Sequence, residues 1–369
     1  MKPRIAIRAD ASVQIGTGHI LRCLLLAEML QNSGLDVEFL CRVYPGDLIN
    51  WISSKGFKVH KLQAPLTRAD TESYYSHDPL NHATYGITQS QDAQETIHAL
   101  QGRSLEWLIV DCYGLDRTWE EQLRSITKNI FVIDDLANRN HDCDLLLDQN
   151  FYSEAHCRYE GLVSRSTKQL LGPRYALLRK EFITSRQSLK PKSDKIKRIF
   201  VFFGGTDPDN ITGRVLDALT APNLQHLQTD VVIGLNNPNR IFIEDKVAKR
   251  KLTTLHVQID NIAELMATAD LALGAGGTTT WERLCLGLPC LIITTAENQR
   301  GSIDDLHDEG LAIKLGSAPS IRVETIQQAI TKSIEYPESV QHKAMRGMQL
   351  VTGGGAALVL RHLLKRTCC

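Results

Sequence analysis

A histidine directly behind two glycines, and a glutamate one helical turn behind three, are the residues of this chain whose types and spacing best suit chemistry. The histidine closes Asp10-Ala11-Ser12-Val13-Gln14-Ile15-Gly16-Thr17-Gly18-His19, and the glutamate closes Gly274-Ala275-Gly276-Gly277-Thr278-Thr279-Thr280-Trp281-Glu282. Glycines let the backbone turn tightly and come close to a ligand, and free N–H groups at a helix start favour anionic or electron-rich groups. An imidazole at a helix start is biased toward its neutral form, which can act as a general base. In the second stretch Gly276, Gly277 and Thr278 offer amides and a hydroxyl to a diphosphate. Glu282 can accept hydrogen bonds from both ribose hydroxyls of a nucleotide. An acid so near a phosphate turn makes most sense with a ribose between the two. A structural reading stands beside each: a packed histidine at an ordinary turn, and a solvated glutamate behind a glycine-rich cap. Leu21 occupies the place of a third glycine after Gly16 and Gly18, so no dinucleotide fingerprint is present.

Other groups stand at places where open α/β sheets put ligands, the carboxyl ends of strands. Gly204 and Gly205, in Gly204-Gly205-Thr206-Asp207, offer amides to a phosphate or sugar, or form a plain turn in which Thr206 or Asp207 caps the next helix. Asn298 and Gln299 follow another strand and suit a sugar or ribose, or else cap a helix. Asp10 either orients His19, bonds a sugar or forms the turn. Tyr113 and Asp135 are sugar contacts or structural strand-end residues. His141, Asp142 and Cys143 are metal-ligating types, but adjacent residues cannot all face one ion, and no metal site is expected.

These residues need a frame, and the pattern supplies one. Lys2–Ala9 reads as a strand, and from His19 to Leu30 the spacing turns helical, with Leu21, Leu24, Leu25, Leu26 and Met29 on one apolar face. Strands and helices alternate to residue 184. A polar, basic stretch over 185–198 reads as a linker. The pattern restarts at Ile199-Phe200-Val201-Phe202-Phe203 and continues to 352, and a last apolar-faced helix after Gly353-Gly354-Gly355 is placed to return to the first half. The expectation is two Rossmann-like α/β domains, 1–184 and 199–352, each a parallel sheet flanked by helices. Residues 64–89 are polar, rich in Tyr and His, and weakly periodic, as functional inserts often are. At 369 residues the chain exceeds one comfortable core. Basic and acidic residues balance at 42 each, so no global field draws nucleic acid or an anionic membrane. Nine scattered cysteines without a Cys-x-x-Cys pair point to reduced thiols and a cytoplasmic setting, and no apolar run spans a bilayer.

Taken together, Arg8-Ala9-Asp10-Ala11-Ser12, Gly16-Thr17-Gly18-His19 and Arg22-Cys23 resemble the N-terminal signature of the UDP-sugar hydrolases of pseudaminic acid biosynthesis. Val110-Asp111-Cys112-Tyr113-Gly114-Leu115-Asp116, Ile133-Asp134-Asp135-Leu136-Ala137-Asn138-Arg139, Asp144-Leu145-Leu146-Leu147-Asp148-Gln149-Asn150 and the run from Gly274 to Pro289 extend the resemblance over most of the chain. It implies a GT-B-type protein that binds UDP in its C-terminal domain and hydrolyses a UDP-linked diacetamido-trideoxy-L-altrose. His19 would activate water for attack on the anomeric carbon with inversion. Gly18, Asp10, Tyr113, Asp135, Asn298 and Gln299 would lie near the sugar. Gly204, Gly205, Gly276, Gly277, Thr278 and Glu282 would hold UDP. No metal or cofactor is required, and neither nucleic acid nor membrane is an expected partner. Two other readings remain open: a GT-B glycosyltransferase with a UDP-N-acetylhexosamine-type donor, and a non-catalytic nucleotide-sugar-binding protein.

Overall fold

The computed structural model describes residues 2–13, 15–64, 87–101, 104–190 and 195–367. Most of the polar insert at 64–89 lies outside the described residues. The chain forms two compact units, one from Met1–Asn150, Glu154–Leu177 and Ala356–Cys369, the other from Phe151–Ser153 and Leu178–Gly355.

In the first unit β1 (Arg4–Ala9), β2 (Asp36–Arg42), β3 (Lys58–Leu62), β4 (Leu105–Asp111), β5 (Thr127–Ile133), β6 (Leu145–Asp148) and β7 (Lys168–Leu171) make one parallel sheet. Its order is β3-β2-β1-β4-β5-β6-β7. The helices are α1 (Gly18–Asn32), α2 (Ile49–Ser54), α3 (Gln89–Ala99) and α4 (Arg117–Leu123). Strands covered on both faces are apolar in succession rather than in alternation. Ile5 and Ile7 accordingly pack with α1 on one face, while Ala6, Leu108 and Val110 pack with Trp119 of α4 on the other. Helix α1 keeps the expected face except at Leu21, with Leu25 and Met29 packed against the core. Ile20, Cys23, Leu24, Leu26, Ala27 and Leu30 are buried, whereas Leu21 is 36% exposed. Spacings of three and four through Ile20, Cys23, Leu24 and Ala27 define the inward stripe, and this leaves Leu21 outside it.

The second unit contains α5 (Lys180–Gln187), β8 (Arg198–Phe202), α6 (Ile211–Ala218), β9 (Gln228–Ile233), α7 (Arg240–Lys249), β10 (Thr253–Val257) and α8 (Ile262–Thr268). It continues with β11 (Leu271–Gly274), α9 (Thr279–Cys285), β12 (Cys290–Thr294), α10 (Arg300–Asp308), β13 (Ile313–Ser317), α11 (Val323–Glu335) and α12 (Pro337–Leu350). Its parallel sheet runs β10-β9-β8-β11-β12-β13. The stretch expected as a linker falls inside this unit: residues 185–187 complete α5, and the chain leaves the first unit at Leu177. The last helix, α13 (Gly355–Thr367), belongs with the first unit, where Ala356, Val359 and Leu363 join the core and Trp107 Nε1 donates to Thr367 Oγ1 at 3.3 Å.

Each sheet reverses its winding beside its first strand, between β1 and β4 and between β8 and β11. Ligands of doubly wound sheets bind outside the strand ends at such points. The loop ahead of His19 and the turn after Gly274 are both located there. Cys23, Cys41, Cys143, Cys285 and Cys290 are buried free thiols. Among the described residues no helix is long and apolar enough to cross a membrane.

Candidate functional site

His19, Arg22 and Cys23 stand at i, i+3 and i+4 and therefore share one face of α1. That face meets the end of β4, because β1 and β4 pair in parallel with Ala9 opposite Asp111. Asp111 receives all three side chains: His19 Nδ1 at 2.6 Å, Arg22 Nε and Nη2 both at 2.6 Å, and Cys23 Sγ at 3.4 Å. Burial alone would push the Asp111 carboxyl up, but the Arg22 guanidinium and His19 hold it well below the usual carboxylate range. An ionised carboxylate only accepts hydrogen bonds, so the proton of this contact sits on His19 Nδ1. The nitrogen left to act on a ligand is Nε2. Tyr113 packs edge-on against the imidazole, with ring centroids 4.7 Å apart. Its hydroxyl bonds Asp135, and burial followed by that carboxylate raise its pKa well above the ordinary tyrosine value. Asp135 Oδ2 lies 3.7 Å from Arg22 Nη1, and its Oδ1 is buried with no partner among the described residues. His19, Tyr113 and Asp135 are thus brought together, with Asp111 and Arg22 as members the sequence reading did not assign.

Asp10 belongs to a different cluster. Its Oδ1 accepts from Arg8 Nη1 at 2.6 Å and from the Arg42 amide at 2.7 Å. It ties the loop to β2, and Asp111 rather than Asp10 orients His19. Arg8 continues to Asp92, which also takes Arg42 Nη2 at 2.5 Å and Trp119 Nε1 at 2.9 Å. Beyond Ser12, Gly46 leaves room for the loop: a Cβ there would lie 2.9 Å from Val13 Cγ2. The metal-ligating types at 141–143 are engaged separately, His141 with Glu120 and Asp142 with Arg124.

In the second unit the glycine turn after β11 is held from within. The Gly276 amide donates to Gln299 Oε1 at 3.1 Å, and the Thr295 amide donates to the same oxygen at 3.0 Å. A Cβ on Gly276 would meet Ile303 Cγ1 at 2.6 Å. Gln299 therefore shapes the turn through its carbonyl oxygen. The Gly277 and Thr278 amides precede the first turn of α9, where backbone donors have no partner in the helix. Glu282 is 7% exposed and its Oε1 is paired with Arg179 Nη2 at 3.3 Å, while Oε2 is buried with no partner among the described residues. Burial raises the Glu282 pKa against the opposing pull of Arg179. At the end of β8, Gly204 has φ +93°, and Gly205 approaches Gly234 so closely that a Cβ on Gly234 would lie 2.5 Å from the Gly205 carbonyl oxygen. The N-cap of α6 is Asn210, whose Oδ1 accepts from the Gly213 amide at 3.1 Å, rather than Thr206 or Asp207. Asp207 supports the same helix start, accepting from the Ile211 and Thr212 amides at 3.0 and 2.9 Å. Asn298 lies beside Gln299 in the short turn after β12.

Residues 198–352 match the glycosyltransferase family 28 C-terminal domain. The chain is similar across nearly its whole length to the MurG structure from Acinetobacter baumannii, with a TM-score of 0.65, 14% identity and coverage of 98% of this chain and 99% of that one. It is also similar to an Arabidopsis thaliana UGT89C1 structure complexed with UDP-L-rhamnose, with a TM-score of 0.68, 13% identity and coverage of 100% of both chains. The protein has the GT-B fold of two Rossmann-like domains. Among curated proteins it is 27% identical over 311 residues to the UDP-2,4-diacetamido-2,4,6-trideoxy-beta-L-altropyranose hydrolase of Campylobacter jejuni subsp. jejuni, covering 84% of this chain and 98% of that protein. It is 24% identical over 358 residues to the spore coat polysaccharide biosynthesis protein SpsG of Bacillus subtilis, covering 95% of each. It is 26% identical over 313 residues to the uncharacterized protein MJ1062 of Methanocaldococcus jannaschii, of which it spans 58% of the length. The similarity to the Campylobacter hydrolase agrees with the resemblance carried by its motifs.

Proposed function

We propose that the protein hydrolyses a UDP-linked diacetamido-trideoxy-hexose of the L-altrose type to UDP and free sugar, a step of pseudaminic acid biosynthesis. The observation that carries this reading is the His19–Asp111 contact at the end of β4, which fixes the imidazole with Nε2 as its remaining nitrogen. In the reaction Nε2 takes a proton from water as the water oxygen bonds to the anomeric carbon. The bond from that carbon to the diphosphate oxygen breaks, UDP leaves with the electron pair, and the carbon inverts. UDP is already a good leaving group, so the paired acid of ordinary glycosidases is not needed. Asp111 stabilises the imidazolium that forms, as the buried carboxylate does in other His–Asp pairs.

The second unit is assigned the nucleotide. The Gly277 and Thr278 amides and the Thr278 hydroxyl suit the diphosphate, and the unpartnered Oε2 of Glu282 suits a ribose hydroxyl. Gly204 and Gly205 flank the same switch point and are assigned to UDP as well. In the first unit the open Oδ1 of Asp135, with Tyr113 beside it, is a fitting acceptor for a sugar amide or hydroxyl. Asp10, Gly18 and Gln299 are given positioning roles, and Asn298 remains a sugar contact in this reading. A cytoplasmic setting suits a nucleotide-sugar substrate.

The match of residues 198–352 to a glycosyltransferase domain supports a second reading, in which a sugar or lipid acceptor replaces water. One experiment separates the two. Purified protein is followed by nuclear magnetic resonance with a panel of UDP-diacetamido and UDP-GlcNAc-type sugars and no acceptor. Release of UDP with an inverted free sugar supports hydrolysis. Turnover that appears only when an acceptor is added replaces it with transfer.

A further inference from the structure

Arg283 follows Glu282 in α9 and is 1% exposed, yet it makes no ion pair among the described residues. Its Nη2 donates to the Ala275 carbonyl at 2.5 Å and to Thr280 Oγ1 at 3.0 Å, while Nε and Nη1 are buried with no acceptor among the described residues. Nη1 fills the space a side chain on Gly274 would need, so the guanidinium is wedged directly beneath the turn. The neighbouring acid, Glu282, is already engaged by Arg179. A buried, unneutralised guanidinium is costly unless something compensates it, and a hydrophobic residue would fill the same space without that cost. Its position shows what it can act on. The carbonyl it polarises belongs to the Ala275–Gly276 peptide, whose N–H goes to Gln299. The next amides along the chain are those of Gly277 and Thr278.

We propose that Arg283 is the buried counter-charge of the ligand's diphosphate, a positioning residue that sets specificity for diphosphate without touching it. It acts in two ways. Its charge lies in low-dielectric surroundings where solvent screens it weakly, and its hydrogen bond offsets the partial negative charge of the Ala275 carbonyl oxygen at the turn. The inference rests on the reading that the second unit binds UDP.

The test is an affinity ladder. Uridine, UMP and UDP are titrated into the full-length protein and into R283M, R283Q and R283K, with folding of each checked by thermal unfolding. In the wild-type protein UDP should bind far more tightly than uridine. R283M and R283Q, which remove the charge with or without a remaining donor, should lower the UDP-to-uridine affinity ratio at least tenfold and leave uridine affinity within about twofold of wild type. R283K should keep the ratio within about threefold. A folded neutral variant that weakens uridine and UDP alike, or weakens neither, overturns the proposal, because a merely structural arginine would behave so. If neither neutral variant folds, R283K decides: a tenfold fall in the ratio despite the retained charge overturns it, and a preserved ratio supports it. Wild-type protein that binds UDP no better than uridine would instead overturn the assignment of the nucleotide to this unit.

Discussion

Asp111 Oδ1 and His19 Nδ1 stand 2.6 Å apart, and Arg22 grips both oxygens of the same carboxylate through Nε and Nη2. The histidine is thus held by an acid that is itself held, which fixes both the ring and its tautomer. Asp111→Asn would present an amide that cannot stabilise an imidazolium and would leave Arg22 with only the longer contact to Asp135 at 3.7 Å. Turnover of the UDP-sugar is expected to fall by about 10²–10⁴-fold, with UDP affinity nearly unchanged. His19→Gln is expected to abolish turnover with the same retention of UDP. Steady-state UDP release and UDP titration of each variant check this, and an Asp111→Asn enzyme within threefold of wild type would remove the pair from the mechanism.

Asp92 carries a different burden. It neutralises Arg8 and Arg42 and accepts from Trp119, all within the interior of the first unit. Burial would raise its pKa, but the two guanidiniums bring it down to about 2. A depressed carboxylate stabilises the fold above its unfolded value of about 3.9, and that stabilisation is lost as pH falls through about 2. Asp92→Asn leaves two buried cations underpaired and should cost about 3–5 kcal/mol at pH 7. Urea unfolding at pH 7 and pH 3 tests both points, since the gap between wild type and variant should narrow on acidification.

How much of this was legible in the sequence varied with the distance over which a contact is made. The glycine turns before His19 and Glu282 were readable because each lies within one strand-turn-helix segment, and both were found at the switch points of parallel sheets. The partners were not. Asp111 is 92 residues from His19 and reaches it only because β4 pairs with β1, and Arg179 is 103 residues from Glu282. A local clue did exist for the first, since His19, Arg22 and Cys23 share a helical face and Asp111 ends an apolar strand. Of the expected face of α1, Leu24 and Leu26 are buried and Leu25 and Met29 pack against the core, while Leu21 falls outside it and Ile20, Cys23 and Ala27 complete the stripe. Helix α7 left no readable stripe: only Ile243 is buried, while Ile241 and Phe242 face outward at 79% and 67% exposure. The strands β7 and β13 also escaped notice, being short sheet edges with mixed composition.

Gly276 offers a test confined to the second unit. Its amide is bound to Gln299, and a methyl group there would press on Ile303 Cγ1 at 2.6 Å and Gln299 Oε1 at 3.2 Å. Gly276→Ala must shift the turn or the start of α10, at about 1–3 kcal/mol for overpacking. UDP affinity is expected to fall about tenfold or more. Binding of uridine should change less, because the displaced amides are those assigned to the diphosphate. Calorimetric titration with both ligands measures this, and unchanged UDP affinity would show that the turn does not carry the anion.

Asp148, at the end of β6, gives the pH prediction with the opposite sign. Burial and the nearby Asp135 push its carboxyl up to about 7, against the pull of Arg158. The proton has a place to go: Tyr159 Oη lies 3.2 Å from Asp148 Oδ2 and 3.0 Å from Asp134 Oδ2, so a protonated Asp148 can donate to Tyr159 while Tyr159 donates to Asp134. Between about pH 4, the unfolded value, and pH 7 the folded protein holds a proton that the unfolded chain has released. Stability must therefore fall as pH rises through that window, by up to about 1.4 kcal/mol per unit for this one group, and level off above it. Asp148→Asn cannot titrate and loses this slope. The quantity to measure is the difference in unfolding free energy between wild type and variant at several pH values, which cancels the histidines common to both. That difference should move against the wild type from pH 4 to pH 7 and then stay level. A difference independent of pH across the window would mean that Asp148 is ionised throughout and that Arg158 outweighs Asp135.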